Sequence, residues 1–125
     1  DRLHWRLHCA PAFAVPVEEV DLAEILGNLL DNARKWARSE VTVTTRSAAG
    51  DVQLAIEDDG PGVSEPDRAL VMRRGAKLDE NVPGSGLGLS ITRAAVEAYG
   101  GTMALEASSA GGLRVLLSFP RQAGG

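Results

Sequence analysis

EVTVTTRSAAGDVQLAIEDDGPG, residues 40–62, alternates apolar and polar side chains on both sides of a short turn and then runs into carboxylates and glycines. Such alternation marks a strand with one buried face. Val41 and Val43 share one side of the first arm, Val52, Leu54 and Ile56 one side of the second, and SAAG serves as the hairpin turn. Carried on, the same parity points Asp58 to the core and Glu57 and Asp59 to solvent. An unpaired buried carboxylate is costly, so Asp58 needs a donor opposite it. The exocyclic amine of a purine is a suitable one. Gly60 and Gly62, flanking Pro61, make a tight turn that leaves room for a flat ring to approach the backbone. A plain strand-end turn accounts for the glycines as well, but not for an inward Asp58.

Outward from this hairpin the alternation recurs. TMALEAS (102–108) and LRVLLSF (113–119) place Met103, Leu105 and Ala107, then Leu113, Val115, Leu117 and Phe119, around a turn at SAGG. In RLHWRLHC (2–9), Leu3, Trp5, Leu7 and Cys9 alternate with Arg2, His4, Arg6 and His8. This predicts another strand with one buried face, its histidines turned to water. His4 and His8 have no third metal ligand nearby and read as solvated. Five strands with one apolar face each require a covering layer of helices. Two segments supply it, residues 19–37 and 90–99, the second ending at Gly100-Gly101. The expected fold is α+β, a two-layer α/β sandwich. Residues 63–83, with RRGAKLDENVPG, have weak periodicity and read as a long loop.

On a wheel of about 100° per residue, Leu22, Ile25, Leu26, Leu29, Leu30, Ala33, Trp36 and Ala37 fall on one broad side of the first helix. Glu24, Asn28, Asp31, Asn32 and Lys35 form one polar stripe opposite. A solvated face is the plain explanation, yet two asparagines one turn apart are poor helix formers. They would present two neutral carbonyl oxygens, suited to Mg²⁺ whose remaining ligands are phosphate and water. Lys35 would reach the same phosphates. VPGSGLGLSI (82–91) places Gly84, Gly86 and Gly88 directly before the second helix, where bare backbone N–H groups and the helix dipole favour an anion. A purine site, a metal and a cation on one helix, and a phosphate loop at another are the parts of an ATP site.

The 125 residues suit a single domain with one core. A net charge of −4, with two Trp, two Phe and one Tyr, gives no basic and aromatic surface for nucleic acid. No apolar run is long enough to cross a bilayer, so no direct membrane contact is expected. The lone Cys9 and the lack of a signal-peptide pattern suggest a reducing, cytoplasmic setting.

These residues resemble the ATP-binding catalytic domain of bacterial sensor histidine kinases, within the superfamily that includes gyrase, Hsp90, histidine kinases and MutL. EILGNLLDNARKWA is similar to its N box, DDGPG to its first glycine box and GSGLGL to its second, in the family's order and spacing. The resemblance implies a Bergerat-type fold with a mixed five-stranded sheet covered on one face by helices, a lid over about residues 63–88, and ATP and Mg²⁺ as cofactors. It implies that Asn28 and Asn32 meet Mg²⁺, Lys35 the phosphates, Asp58 the adenine amine, Gly60 and Gly62 the base, and Gly84, Gly86, Leu87 and Gly88 the triphosphate. The lid sequence is similar to that of PhoQ-like kinases, which makes Arg74 and Lys77 candidate phosphate contacts. The lid lacks the usual F-box aromatic and carries Val71-Met72 in that stretch.

The implied activity is transfer of the γ-phosphate to a histidine on a separate helical dimerisation domain of the same parent, with a response regulator downstream and the parent held in the inner membrane. The phosphoacceptor pattern itself is absent from residues 1–125. Glu24 is the candidate general base toward the acceptor imidazole, or equally a surface carboxylate favoured by the helix dipole. Two other functions stay open: an ATPase clamp of the same superfamily, and a stand-alone serine kinase or nucleotide sensor.

Overall fold

The alternating stretches form strands and the amphipathic ones helices, in the order β1 (His4–His8), α1 (Glu19–Trp36), β2 (Glu40–Ala48), β3 (Asp51–Asp58), α2 (Glu65–Met72), α3 (Leu87–Ala98), β4 (Thr102–Ala107) and β5 (Leu113–Pro120). This computed structural model describes residues 3–8, 17–48, 50–72 and 87–120. The strands make one sheet in the order β1-β2-β3-β5-β4. β1 runs parallel to β2, across the α1 crossover, and the other pairs are antiparallel. The expected α+β architecture with a mixed five-stranded sheet is therefore present.

One face of the sheet carries the core. Ile25, Leu29 and Ala33 of α1 meet Val41 and Val43, Leu54 and Ile56, Val115, Leu117 and Phe119 from the strands, with Leu89 and Val96 of α3 completing the cluster. The α1 and strand positions are the ones that the helical wheel and parity select, whereas Leu89 precedes the expected start of the second helix. Acidic Glu19 and Asp21 in the first turn of α1 and basic Arg34 and Lys35 in its last complement the helix dipole.

Three sequence expectations are corrected. β1 buries no face: Trp5 and Leu7 are 43% and 68% exposed. They register with Val41 and Val43 and so share the helix-side face, but α1 packs chiefly over β3 and against α3 and leaves this edge strand uncovered. Only Leu3, just before the strand, reaches the core. His4 and His8 are exposed, as parity requires. Second, the stretch read as loop contains α2. Its start has the signals of a helix N-terminus: Ser64 Oγ donates to Asp67 Oδ2 at 2.9 Å, Pro66 sits in the first turn, and Glu65 and Asp67 are acidic there. Third, α3 begins at Leu87, three residues before the expected start.

Asp59 is also more than a solvent-facing carboxylate. Its Oδ1 accepts the backbone N–H groups of Arg38, Ser39 and Glu40 at 2.8, 3.0 and 3.2 Å, and its Oδ2 accepts the Ser39 hydroxyl at 2.6 Å. α1 has just ended, Ala37 being extended, so these amides have left the helical ladder. Asp59 gathers them and fixes the passage from α1 into β2. The hydroxyl and amides of Ser39, followed by the other two N–H groups, hold the Asp59 carboxyl well below the usual carboxylate range.

A carboxyl whose folded pKa is lowered contributes stability above its unfolded pKa, about 3.9, and loses it as the pH falls below that value toward the folded one. Asp59→Asn should therefore unfold at a lower temperature than the parent chain at pH 7, with the gap narrowing once the pH drops below about 4. Thermal melts across pH 2–7 measure this, and a gap independent of pH would remove the ionic anchor.

Candidate functional site

Asp58 ends β3, opposite Val41 in the β2 register, and is 4% exposed. Its inward direction is the one parity predicts. Two backbone donors lie within the fold itself: Gly60 N–H at 2.8 Å and Leu113 N–H at 3.3 Å, both to Oδ1. Burial pushes the Asp58 carboxyl upward, the two amides pull it back, and the neighbouring Asp59 charge adds to the rise. The carboxylate is thus partly satisfied by the chain.

The backbone closes in around it. A Cβ at Gly60 would overlap the carbonyl oxygen of Trp36, so the last turn of α1 lies directly on this turn. A Cβ at Gly112 would overlap both Oδ1 and the carbonyl oxygen of Asp58 and lie 2.6 Å from Gly60 N. Gly62, at φ +75°, faces the carbonyls of Gly112 and Gly111. The end of β3, the end of α1 and the β4–β5 turn therefore converge on Asp58 through close backbone contact. Gly112 is the residue of this candidate site that sequence reasoning missed, since SAGG reads as an ordinary hairpin turn. Its available signal is the second glycine, placed directly before the first buried residue of β5 and beyond what the turn needs.

The stripe on α1 survives as a face. Asn28 and Asn32 are half-buried, and Glu24, Asp31 and Lys35 are exposed. Asn32 lies one turn before Trp36, hence about 6 Å along the helix axis from the residue that meets Gly60. The structure so brings Asn32 toward the Asp58 corner, with Asn28 one turn further along. Lys35 stands 3.5 Å from Asp31 Oδ2, and Arg34 bonds Asp31 Oδ1 at 2.7 Å. The hydrogen bond from Arg34, ahead of the charge of Lys35, holds the Asp31 carboxyl below its usual range.

Leu87 and Gly88 are the first two residues of α3, at the helix end whose N–H groups lack intrahelical partners. Arg74, Lys77, Gly84 and Gly86 lie outside the described residues, as does Cys9. Among the described residues no three His, Cys, Asp or Glu side chains are grouped to hold a metal ion. Among the described residues no helix is long and apolar enough to cross a membrane.

Residues 17–123 match the family model described as histidine kinase-, DNA gyrase B-, and HSP90-like ATPase. The chain is 50% identical over 115 residues to the sensor protein kinase CarS of Pseudomonas aeruginosa, covering 92% of this chain and 26% of that one. It is 44% identical over 103 residues to the two-component sensor PhoQ of the same organism, covering 82% and 23%. The chain thus spans about a quarter of the length of these relatives. Among solved structures, a mycobacterial sensor histidine kinase, MprB, superposes with a TM-score of 0.81 at 28% identity, covering 95% of this chain and 84% of that one. The buried acid at a strand end, the asparagine stripe and the matched sequence agree, and the chain belongs to the histidine kinase-, DNA gyrase B- and HSP90-like ATPase family, as an ATP-binding catalytic domain of the sensor histidine kinase type.

Proposed function

We propose that this domain binds ATP together with Mg²⁺ and, in its intact parent, delivers the γ-phosphate to a histidine on a separate helical dimerisation domain. The observation that carries the reading is Asp58: a buried carboxylate at a strand end whose two chain donors, Gly60 N–H and Leu113 N–H, both reach Oδ1. Oδ2 would accept the adenine amine. Asn28 and Asn32 would hold Mg²⁺ through their amide oxygens, and the ion when bound neutralises phosphate charge. Lys35, released from Asp31, would approach the phosphates, and so would Arg74 and Lys77. Gly84, Gly86, Leu87 and Gly88 would offer backbone N–H groups to the triphosphate.

In the transfer the acceptor nitrogen forms a bond to the γ-phosphorus as the bond to the bridging oxygen of ADP breaks. Exposed Glu24, one turn before Asn28, would take the imidazole proton or orient the ring. The domain's contribution is positioning and charge neutralisation, which make up most of phosphoryl-transfer catalysis. A response regulator would then receive the phosphoryl group, and a membrane-held parent would place this domain on the cytoplasmic side.

Incubation with γ-labelled ATP tests the transfer. The chain alone should take up no label, whereas an added dimerisation domain carrying the acceptor histidine should become labelled, and Asn28→Ala should abolish this. Stable label on residues 1–125 alone would overturn the reading.

The metal role has a separate readout. Affinity for ATP measured by calorimetry should collapse in EDTA, and Asn32→Ala should weaken binding while leaving the melting curve of the free chain unchanged. Equal affinity with and without Mg²⁺ would remove the asparagines from metal binding.

Asp58→Asn should weaken ATP binding by about 1.5–3 kcal/mol, the range for a hydrogen bond to a charged group. GTP, which carries a carbonyl in place of the adenine amine, should bind the parent chain poorly. Comparable ATP and GTP affinities would sink the assignment of Asp58.

A further inference from the structure

Tyr99 directly follows α3, and its hydroxyl reaches across to the start of α1. It donates to Asp21 Oδ2 and accepts the backbone N–H of Glu18 at 3.4 Å. α1 has no side-chain cap of its own at Glu18, and Tyr99 takes up the N–H of this N-cap residue, the group that an N3 side chain takes up in a capping box. The hydrogen bond to the Asp21 carboxylate raises the Tyr99 hydroxyl above its ordinary value.

The position of Asp21 gives this contact its meaning. At about 100° per residue, Asp21, Asn28 and Asn32, spaced seven and four residues apart, fall within about 40° of one another. Asp21 therefore heads the stripe that carries both asparagines. Tyr99 is itself firmly placed. Its N–H bonds Val96 O at 3.1 Å, Gly100 turns the chain at φ +77°, and Gly101 is wedged so that a Cβ would lie 2.7 Å from Ser118 O and 2.9 Å from the Phe119 ring. The grip on α1 is thus referred to the sheet through β5.

We propose that Tyr99 is a positioning residue for the nucleotide site: by holding Asp21 it sets the rotation of α1 about its axis, and with it the aim of Asn28 and Asn32. This rests on the nucleotide reading above. At the far end of α1 the Trp36 carbonyl lies on Gly60, so the helix is held at both ends. Rotating it by about 20° moves a side-chain tip on its surface by about 2 Å, given a helix radius with side chains of about 5–6 Å. That displacement takes an amide oxygen out of ligand distance. Asp58, on β3, would not move.

Tyr99→Phe keeps the ring and removes the hydroxyl. Binding of ATP with Mg²⁺ and of adenosine to the chain is compared by NMR titration, well below the melting temperature of each variant. ATP affinity should fall about five- to tenfold, the scale of one lost hydrogen bond, and adenosine affinity should stay unchanged because its contacts lie at Asp58 and the turn of Gly60 and Gly62, not on the stripe of α1. Asp21→Ala should reproduce this loss, and Asp21→Asn, whose amide oxygen still accepts the tyrosine proton, should restore most of the affinity. A lower melting temperature with unchanged ATP affinity would reduce Tyr99 to a structural contact and overturn the proposal. So would equal losses for ATP and adenosine. If the unsubstituted chain binds neither compound, the nucleotide reading itself fails, and this proposal with it.

Discussion

Two consecutive carboxylates at the end of β3 govern the arrangement. Successive side chains in a strand point to opposite faces, so Asp58 and Asp59 cannot share a task. Asp58 turns inward, bonds Gly60 and Leu113, and draws the β4–β5 turn so close that position 112 has no room for a side chain. Asp59 turns outward and collects the amides of residues 38–40 as the chain leaves α1. One peptide unit therefore connects the sheet's centre, the end of the first helix and the last hairpin. A corner built this way leaves little freedom to a ligand's binding pose, since both its acid and its walls are backbone-held.

The helices inherit their placement from that corner. α1 ends on it through Trp36 and Gly60 and packs over β3, which places Asn32 one turn from that corner and leaves β1 outside the covered area. α1 also packs against α3, whose first turn holds Leu87 and Gly88. Apolar burial decides that α1 lies on the sheet, but burial alone tolerates rotation. Directional contacts lie at its two ends, Tyr99 on Asp21 at one and the Trp36 carbonyl on Gly60 at the other.

Much of this was legible in the residues. Period-two alternation located all five strands, the wheel separated Ile25, Leu29 and Ala33 from Asn28 and Asn32, and parity alone turned Asp58 inward. The family's boxes reinforced the same positions. What failed did so for identifiable reasons. Trp5 and Leu7 alternate as well as Val41 and Val43 do, yet alternation states only which side a residue faces and not whether a helix lies above it. α2 was hidden because a helix of eight residues offers barely two turns of periodicity, and the capping signal at Ser64 had to be read instead. Gly112 and Asp59 looked like turn and surface residues because their partners are distant in sequence.

The sequence by itself determined the elements, the sidedness of their residues and the chemistry on offer: a strand-end acid, two amides on a helix and glycine before another helix. These follow from backbone periodicity and side-chain type, both local properties. Only the tertiary structure decided that β1 is an uncovered edge, that Asp59 serves the chain instead of solvent, that Gly112 must lack a side chain, and that Tyr99 meets Asp21. Each of these is a contact between segments remote along the chain, and such contacts arise from the joint packing of helices on the sheet, which no local pattern encodes.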